Sequence, residues 1–347
     1  MKKVSFLFIV LIIIISSCQK SPVKYPETRK DSTSDVYFGV EVKDPYRWLE
    51  DESSNETRQW IQDQNKVTFE YLSKIPYRDK IKNRLTRILD YERISTPVYK
   101  GGYYFFYKND GLQEQNVLYY FKNLSDEPTA ILNPNTFSED GTISLTDFGV
   151  SSDGKYLAYS ISKSGSDWNE IFVKNIQTGE ILKDHLINVK FSLISWYNDG
   201  FFYSRYNRAQ NSEGLSEINY NQKIYYHQVG TDQLLDELVF EDQRYPNRYY
   251  LAYVTSDEKY LIISESETTS GNAIYIKNLR IENKDFTKLT TSFEYEYEVI
   301  DHIDDNLIVM TNYKAPKYKL IKINVKSLEI GNWRDVIPEK SEVLKFA

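Results

Sequence analysis

Cysteine occurs once among the 347 residues, at Cys18, so no internal disulfide is available to staple the fold. Histidine is almost as scarce. His185, His227 and His302 show no His-x-x-x-His spacing, and no Cys-x-x-Cys exists, so neither a metal site nor a cofactor is expected. Asp184 beside His185, and Asp301 and Asp304 around His302, look superficially like acid–base pairs, yet an Asp next to a His in a turn is ordinarily solvated. Excess positive charge is also missing: 43 Lys and Arg stand against 50 Asp and Glu, a net charge of −7. With no basic stripe to neutralise phosphates, a nucleic-acid partner is excluded. The apolar run from Val4 to Ile15 falls short of the roughly 20 residues that a membrane-spanning helix needs. Glycine numbers only 14 against 30 Tyr, and an aromatic content of 15% favours sheet over helix.

What is present begins with that short apolar run. Lys2 and Lys3 precede it and Ser16-Ser17-Cys18 follow it, the layout of a secretory signal over residues 1–17. Ile15-Ser16-Ser17-Cys18 resembles a bacterial lipobox, in which Cys18 carries the lipid and becomes the mature N-terminus; the alternative is an ordinary signal followed by a free cysteine. The expected location is the bacterial cell envelope, facing the periplasm or exterior, with the lipid as the only hold on the membrane. Residues 18–35 are polar and contain proline, and read as a flexible tether.

Residues 36–92 carry helical periodicity. Asp44-Pro45-Tyr46-Arg47-Trp48-Leu49-Glu50-Asp51 packs three large apolar side chains behind a proline, and reads as a loop that pins an N-terminal arm. Ser54 to Thr57 then offer capping chemistry, and Trp60, Ile61, Val67, Tyr71 and Leu72 recur at helical spacing. A second helix after Pro76 aligns Ile81, Leu85, Ile88 and Leu89. Both stripes call for a partner surface that two such helices cannot give each other.

From residue 93 to 347 the texture becomes short alternating strands. Tight turns at Gly101-Gly102, Asp153-Gly154, Asn198-Asp199-Gly200, Asp257-Glu258-Lys259 and Asp304-Asp305-Asn306 each precede an apolar strand. The residues opening those strands, Tyr103, Tyr156, Phe201, Tyr260 and Leu307, follow one another at steps of 53, 45, 59 and 47. Units of about fifty residues holding four short strands predict β-propeller blades, five of them here; a β-sandwich predicts no such steady spacing.

These elements line up with a known family. Asp44 to Asp51, Gly111-Leu112-Gln113-Glu114-Gln115-Asn116, Asn133-Pro134-Asn135, Ser151 to Tyr159, Ser164-Gly165-Ser166-Asp167-Trp168 and Lys223-Ile224-Tyr225-Tyr226-His227 occur in the order and at about the spacing of the prolyl oligopeptidase family of serine peptidases, which the chain resembles from near residue 25 onward. The resemblance implies a mainly β chain: about five of seven propeller blades, an incomplete ring, preceded by a short helical segment belonging to an α/β-hydrolase domain. That domain's Ser, Asp and His lie beyond the propeller in the family, and no G-x-S-x-G elbow is present; Gly214-Leu215-Ser216 is followed by Glu217 and reads as a surface loop. The resemblance therefore implies no catalytic residue here. It places Val173, Ser266 and Thr269 at positions that can face the central cavity and touch substrate, where the family can carry an aromatic, an arginine and a cysteine; ordinary strand packing is the alternative for each. The implied activity is cleavage of short peptides after proline through an acyl-enzyme, with the propeller gating substrate size and this chain alone inactive. The other readings are a non-enzymatic propeller lipoprotein derived from a peptidase, and a branch that cleaves after basic residues.

Overall fold

The computed structural model describes residues 23–51, 54–207, 219–282 and 285–347; the signal segment, Cys18 and Gly214-Leu215-Ser216 lie outside them. Among the described residues no helix is long and apolar enough to cross a membrane. The chain divides into two compact units, the first running to Ile88 and the second starting at Leu89.

In the first unit, β1 (Ser34–Tyr37) and β2 (Val40–Lys43) form a hairpin whose turn residues, Phe38 and Gly39, both have positive φ. The Asp44–Asp51 stretch follows it. Arg47 there donates to Asp44 at 2.9 Å and to Asp35 at 3.1 Å, tying the stretch to the hairpin. Trp48 Nε1 donates to the Arg29 carbonyl (3.0 Å), Trp60 Nε1 donates to Thr28 Oγ1 (2.9 Å), and Arg29 pairs with Glu56 at 2.6 Å. The flexible tether expected through residue 35 is thus fixed from residue 28, because two indole N–H groups and one guanidinium find partners across it. Helix α1 (Asn55–Ser73) starts where Ser54 Oγ accepts from the Thr57 N–H at 3.1 Å. In α1 and in α2 (Arg78–Leu89), Ile61, Tyr71, Ile81, Leu85 and Ile88 remain exposed.

The second unit consists of five antiparallel blades in chain order, the second and third joined into one eight-stranded sheet by a single bridge between Val189 and Arg205. Blade one holds β3 (Arg93–Ile94), β4 (Val98–Lys100), β5 (Tyr103–Asn109), β6 (Val117–Phe121) and β7 (Thr129–Leu132). Blade two is β8 (Ile143–Val150), β9 (Tyr156–Lys163), β10 (Asn169–Asn175) and β11 (Ile181–Val189); blade three is β12 (Ser195–Tyr197), β13 (Gly200–Arg205), β14 (Lys223–Gln228) and β15 (Glu237–Phe240). Blade four is β16 (Tyr249–Val254), β17 (Tyr260–Ser266), β18 (Ala273–Asn278) and β19 (Thr287–Lys288). Blade five is β20 (Tyr297–Ile303), β21 (Asn306–Thr311), β22 (Lys319–Asn324) and β23 (Arg334–Ile337). Tyr103, Tyr156 and Tyr260 open β5, β9 and β17, and Phe201 and Leu307 stand second in β13 and β21, so the spacing read from sequence marks the strand after the tight turn in each blade. Two of those tight turns are built alike. Ser151 Oγ accepts from the Tyr156 N–H (2.9 Å) and donates to Asp153 (2.6 Å); Thr255 Oγ1 does the same with Tyr260 (3.0 Å) and Asp257 (2.7 Å).

Period-two alternation decides what each strand buries. In β17, Tyr260 and Ile262 enter a core shared with Val299, Leu307 and Ile321 of blade five, whereas Leu261 and Ile263 enter one shared with Phe202 and Ile224 of blade three. β13 behaves alike: Phe201 and Tyr203 join Ile171 and Leu186 of blade two, and Phe202 turns to blade four. Leu157, Tyr159 and Ile161 of β9 meet Phe105 and Leu118 of blade one. Each of the four joints has its own core, and among the described residues no core cluster is confined to one blade. Ile262→Ala and Ile263→Ala, both starting from fully buried side chains, are expected to lower stability to urea by about 2–5 kcal/mol each. Hydrogen exchange should then accelerate across the joint to blade five for the first and across the joint to blade three for the second; acceleration at the same joint in both would contradict the assignment.

Candidate functional site

A cavity of about 640 Å³ opens at one end of blades four and five. β17 brings Ser264 and Ser266 to its wall, the 268–271 loop adds Thr269, β20 contributes Glu298, and Glu296 stands immediately before that strand. The loop has one fixed shape. Gly271 has φ +73°, and a Cβ there would lie 1.8 Å from the Phe293 carbonyl oxygen, so only glycine fits. Next to it Asn272 crosses the joint: its amide N–H donates to Ser264 Oγ (2.7 Å) and to the Tyr297 carbonyl (2.9 Å), while its Oδ1 accepts from the Tyr297 N–H (2.7 Å). Tyr249 donates to the Thr268 carbonyl at 2.7 Å. Tyr318 donates to the Glu296 carboxylate, and that carboxylate, with some burial, pushes the phenol up to about 12. The lining thus offers hydroxyls, an amide and two carboxylates around Met310. That is a surface for hydrogen-bonding a polar chain, and it lacks a nucleophile paired with a base.

The opposite face of β17 is tied down by ion pairs. Glu265, between the two serines and fully buried, accepts from Arg248 Nη1 (2.9 Å) and from Lys288 Nζ (2.8 Å). Arg248 also donates to Glu267 at 2.8 Å and lies 3.5 Å over the Tyr245 ring. Glu265→Gln is expected to cost about 1–3 kcal/mol in urea unfolding, since it removes the buried carboxylate shared by Lys288 and Arg248 and leaves Arg248 with Glu267 alone. Glu267→Gln, from a carboxylate 43% exposed, should change stability by less than about 1 kcal/mol.

Of the residues singled out from sequence, Ser266 and Thr269 line this cavity together. Val173 does not reach it. Its side chain is fully enclosed in the core between blades two and three, because alternation along β10 turns residues 171 and 173 inward, so strand packing describes it and substrate contact does not. Cys18 is outside the described residues. Sequence reading missed Asn272, Glu296, Glu298 and Tyr318, which carry no local motif; Asn272 sits in the β17–β18 loop of the same blade as Ser266, and the other three reach the cavity from blade five across the joint.

The three histidines take carboxylate partners rather than hydroxyls. His185 Nε2 lies 2.8 Å from Glu170 with its ring stacked on Phe172, and His302 Nδ1 lies 3.2 Å from Asp257. Neither ring takes the sequence-adjacent carboxylate that suggested a solvated pair: Asp184 is buried against His227 instead of beside His185, and His302, only 9% exposed, meets Asp257 rather than Asp301 or Asp304. His227 is different. It is fully buried between Asp236 (2.7 Å) and Asp184 (3.0 Å). Among the described residues no group of three His, Cys, Asp or Glu side chains is arranged to hold a metal ion.

Residues 25–346 match the family model described as the prolyl oligopeptidase N-terminal β-propeller domain. A prolyl endopeptidase of Elizabethkingia meningoseptica is 43% identical over 333 residues, covering 96% of this chain and 47% of the relative. Prolyl oligopeptidase A of Amanita bisporigera is 36% identical, covering 94% and 47%. Among solved structures, one from work on two prolyl endopeptidases superposes with a TM-score of 0.82 at 30% identity, over 92% of this chain and 47% of that one. Prolyl oligopeptidase B of Galerina marginata, bound to a 25mer macrocyclization substrate, gives 0.79 at 29% identity, over 92% and 49%. The chain spans about half the length of the curated relatives it matches.

Proposed function

Because this chain belongs to the prolyl oligopeptidase family and corresponds to its N-terminal propeller portion, we propose that it acts as the propeller half of a serine endopeptidase that cleaves short peptides after proline. The hydrolase half supplies the serine nucleophile, its base and the oxyanion hole, and the peptide bond breaks through an acyl-enzyme. The propeller half contributes a polar wall for the peptide and a ring that limits what can enter. The observation that carries this reading is the pairing of Ser266 and Thr269 on one cavity beside Glu296 and Glu298, in a chain whose relatives at 43% and 42% identity are both prolyl endopeptidases.

The chain alone is expected to release no reporter from a proline-containing peptide. Fused to the C-terminal half of the Elizabethkingia meningoseptica relative, it should release the reporter after proline and spare a folded protein containing the same sequence. A folded fusion that cleaves nothing, or that cleaves after lysine or arginine instead, would overturn the reading.

Ile15-Ser16-Ser17-Cys18 supports an envelope lipoprotein as the form in which this enzyme is displayed. Metabolic labelling with palmitate is expected in the native chain and absent from Cys18→Ser; equal labelling of both would remove the anchor from the account.

A further inference from the structure

Blades two and three share one backbone bridge pair, Val189 with Arg205. Elsewhere their joint holds a closed ionic cluster. His227 Nδ1 lies 2.7 Å from Asp236 Oδ1 and Nε2 lies 3.0 Å from Asp184 Oδ1, with none of the three side chains more than 1% exposed. A neutral imidazole has one N–H, so it can donate to only one of these carboxylates and must turn a bare lone pair toward the other. With both carboxylates ionised, as the lowered Asp184 favours, both contacts are favourable together only when both nitrogens carry protons. The ring is then a cation held between an anion from β11 of blade two and one from the segment leading into β15 of blade three.

The surroundings supply no substitute for that charge. On the β11 side, Asp184 Oδ1 also accepts from the Gly230 N–H at 2.5 Å, while Asp184 Oδ2 is buried without a partner. His185, next along β11, is spent on Glu170 and Phe172. From β13, Tyr203 donates to Asp236 Oδ2 at 2.6 Å and accepts from Gln233 at 3.0 Å, and Arg205 lies 4.0 Å over the Tyr225 ring of β14. Phe201 packs 5.3 Å from the imidazole. Among the described residues no lysine or arginine forms an ion pair with Asp184 or Asp236. Burial opposes the ring's charge, but the two carboxylates outweigh burial and raise the histidine to about 9. Burial likewise pushes Asp184 up, and the bonds from His227 and the Gly230 N–H more than reverse it, leaving it below the usual carboxylate range.

We propose that His227 is a proton-operated latch between the second and third blades, closing the joint as an imidazolium and loosening it when the proton leaves. Loss of the proton leaves two enclosed carboxylates around a neutral ring, one of them without its imidazole donor and held only by the Gly230 N–H or the Tyr203 hydroxyl. Folding raises the histidine's pKa, so the latch contributes fully below about 6.5, the ordinary histidine value, and its contribution disappears as pH rises through about 9.

The test combines imidazole nitrogen NMR with amide hydrogen exchange on the full chain, which has only three histidines to assign. His227 is expected to titrate near pH 9. Exchange of the 184–189 and 224–231 amides, corrected for base catalysis, should accelerate at least tenfold between pH 7 and 10, while β21 amides stay protected. His227→Gln, always neutral, should show the loosened joint at both pH values. A midpoint at or below 6.5 overturns the proposal, as does a midpoint near 9 with unchanged protection, or full protection of the joint in His227→Gln at pH 7. If that variant does not fold, the wild-type titration and exchange still decide.

Discussion

A sheet that is apolar on both faces must be covered on both faces, and this requirement organises the second unit. The central strands of blades two, three and four divide their side chains between two neighbours, so a blade such as β16–β19 is held between the cores it shares with blades three and five. Burying one Ile or Leu fully is worth about 1.5–3 kcal/mol. Because both faces are shared, that stabilisation resides in the joints rather than in the blades.

The polar features sit where this frame holds them still. Ser264 and Ser266 reach the cavity because Glu265, one residue out of phase, is locked on the far face by Arg248 and Lys288. Asn272 uses both ends of its amide to bind across the joint of blades four and five, so the cavity wall and the joint are one construction. The joints also differ in kind. That between blades four and five is apolar through Ile262, Ile274, Val309 and Ile323, whereas that between blades two and three encloses an ionised trio.

The turns were the most legible part of the fold. Gly101-Gly102, Asp153-Gly154 and Asn198-Asp199-Gly200 advertise positive φ through residue type, and they hold it in the structure at Gly101, Gly102, Gly154 and Asn198. Glu258 and Asp304 adopt it as well, with residues that signal it less strongly, and only the regular spacing placed those turns. Less of the site could be read. Ser266 and Thr269 were placed by resemblance, and Val173, assigned in the same way, lies in a core because a one-residue change of phase moves a side chain to the other face. His227 looked like a strand residue among tyrosines; its carboxylates sit 43 and 9 positions away in sequence, and no local pattern encodes a contact made by packing two blades. The tether was overextended for a related reason, since Trp48 and Trp60 reach back to residues 28 and 29 over distances that composition does not register.

Sharing every core with the next blade also shapes how the chain matures on the ribosome. As synthesis proceeds from Tyr103 toward Ile337, each newly completed blade buries the open face of its predecessor and presents one open face of its own. At its growing end the nascent protein is then expected to expose one blade face, however many blades have been added, so the unfinished apolar surface there does not grow with the number of blades.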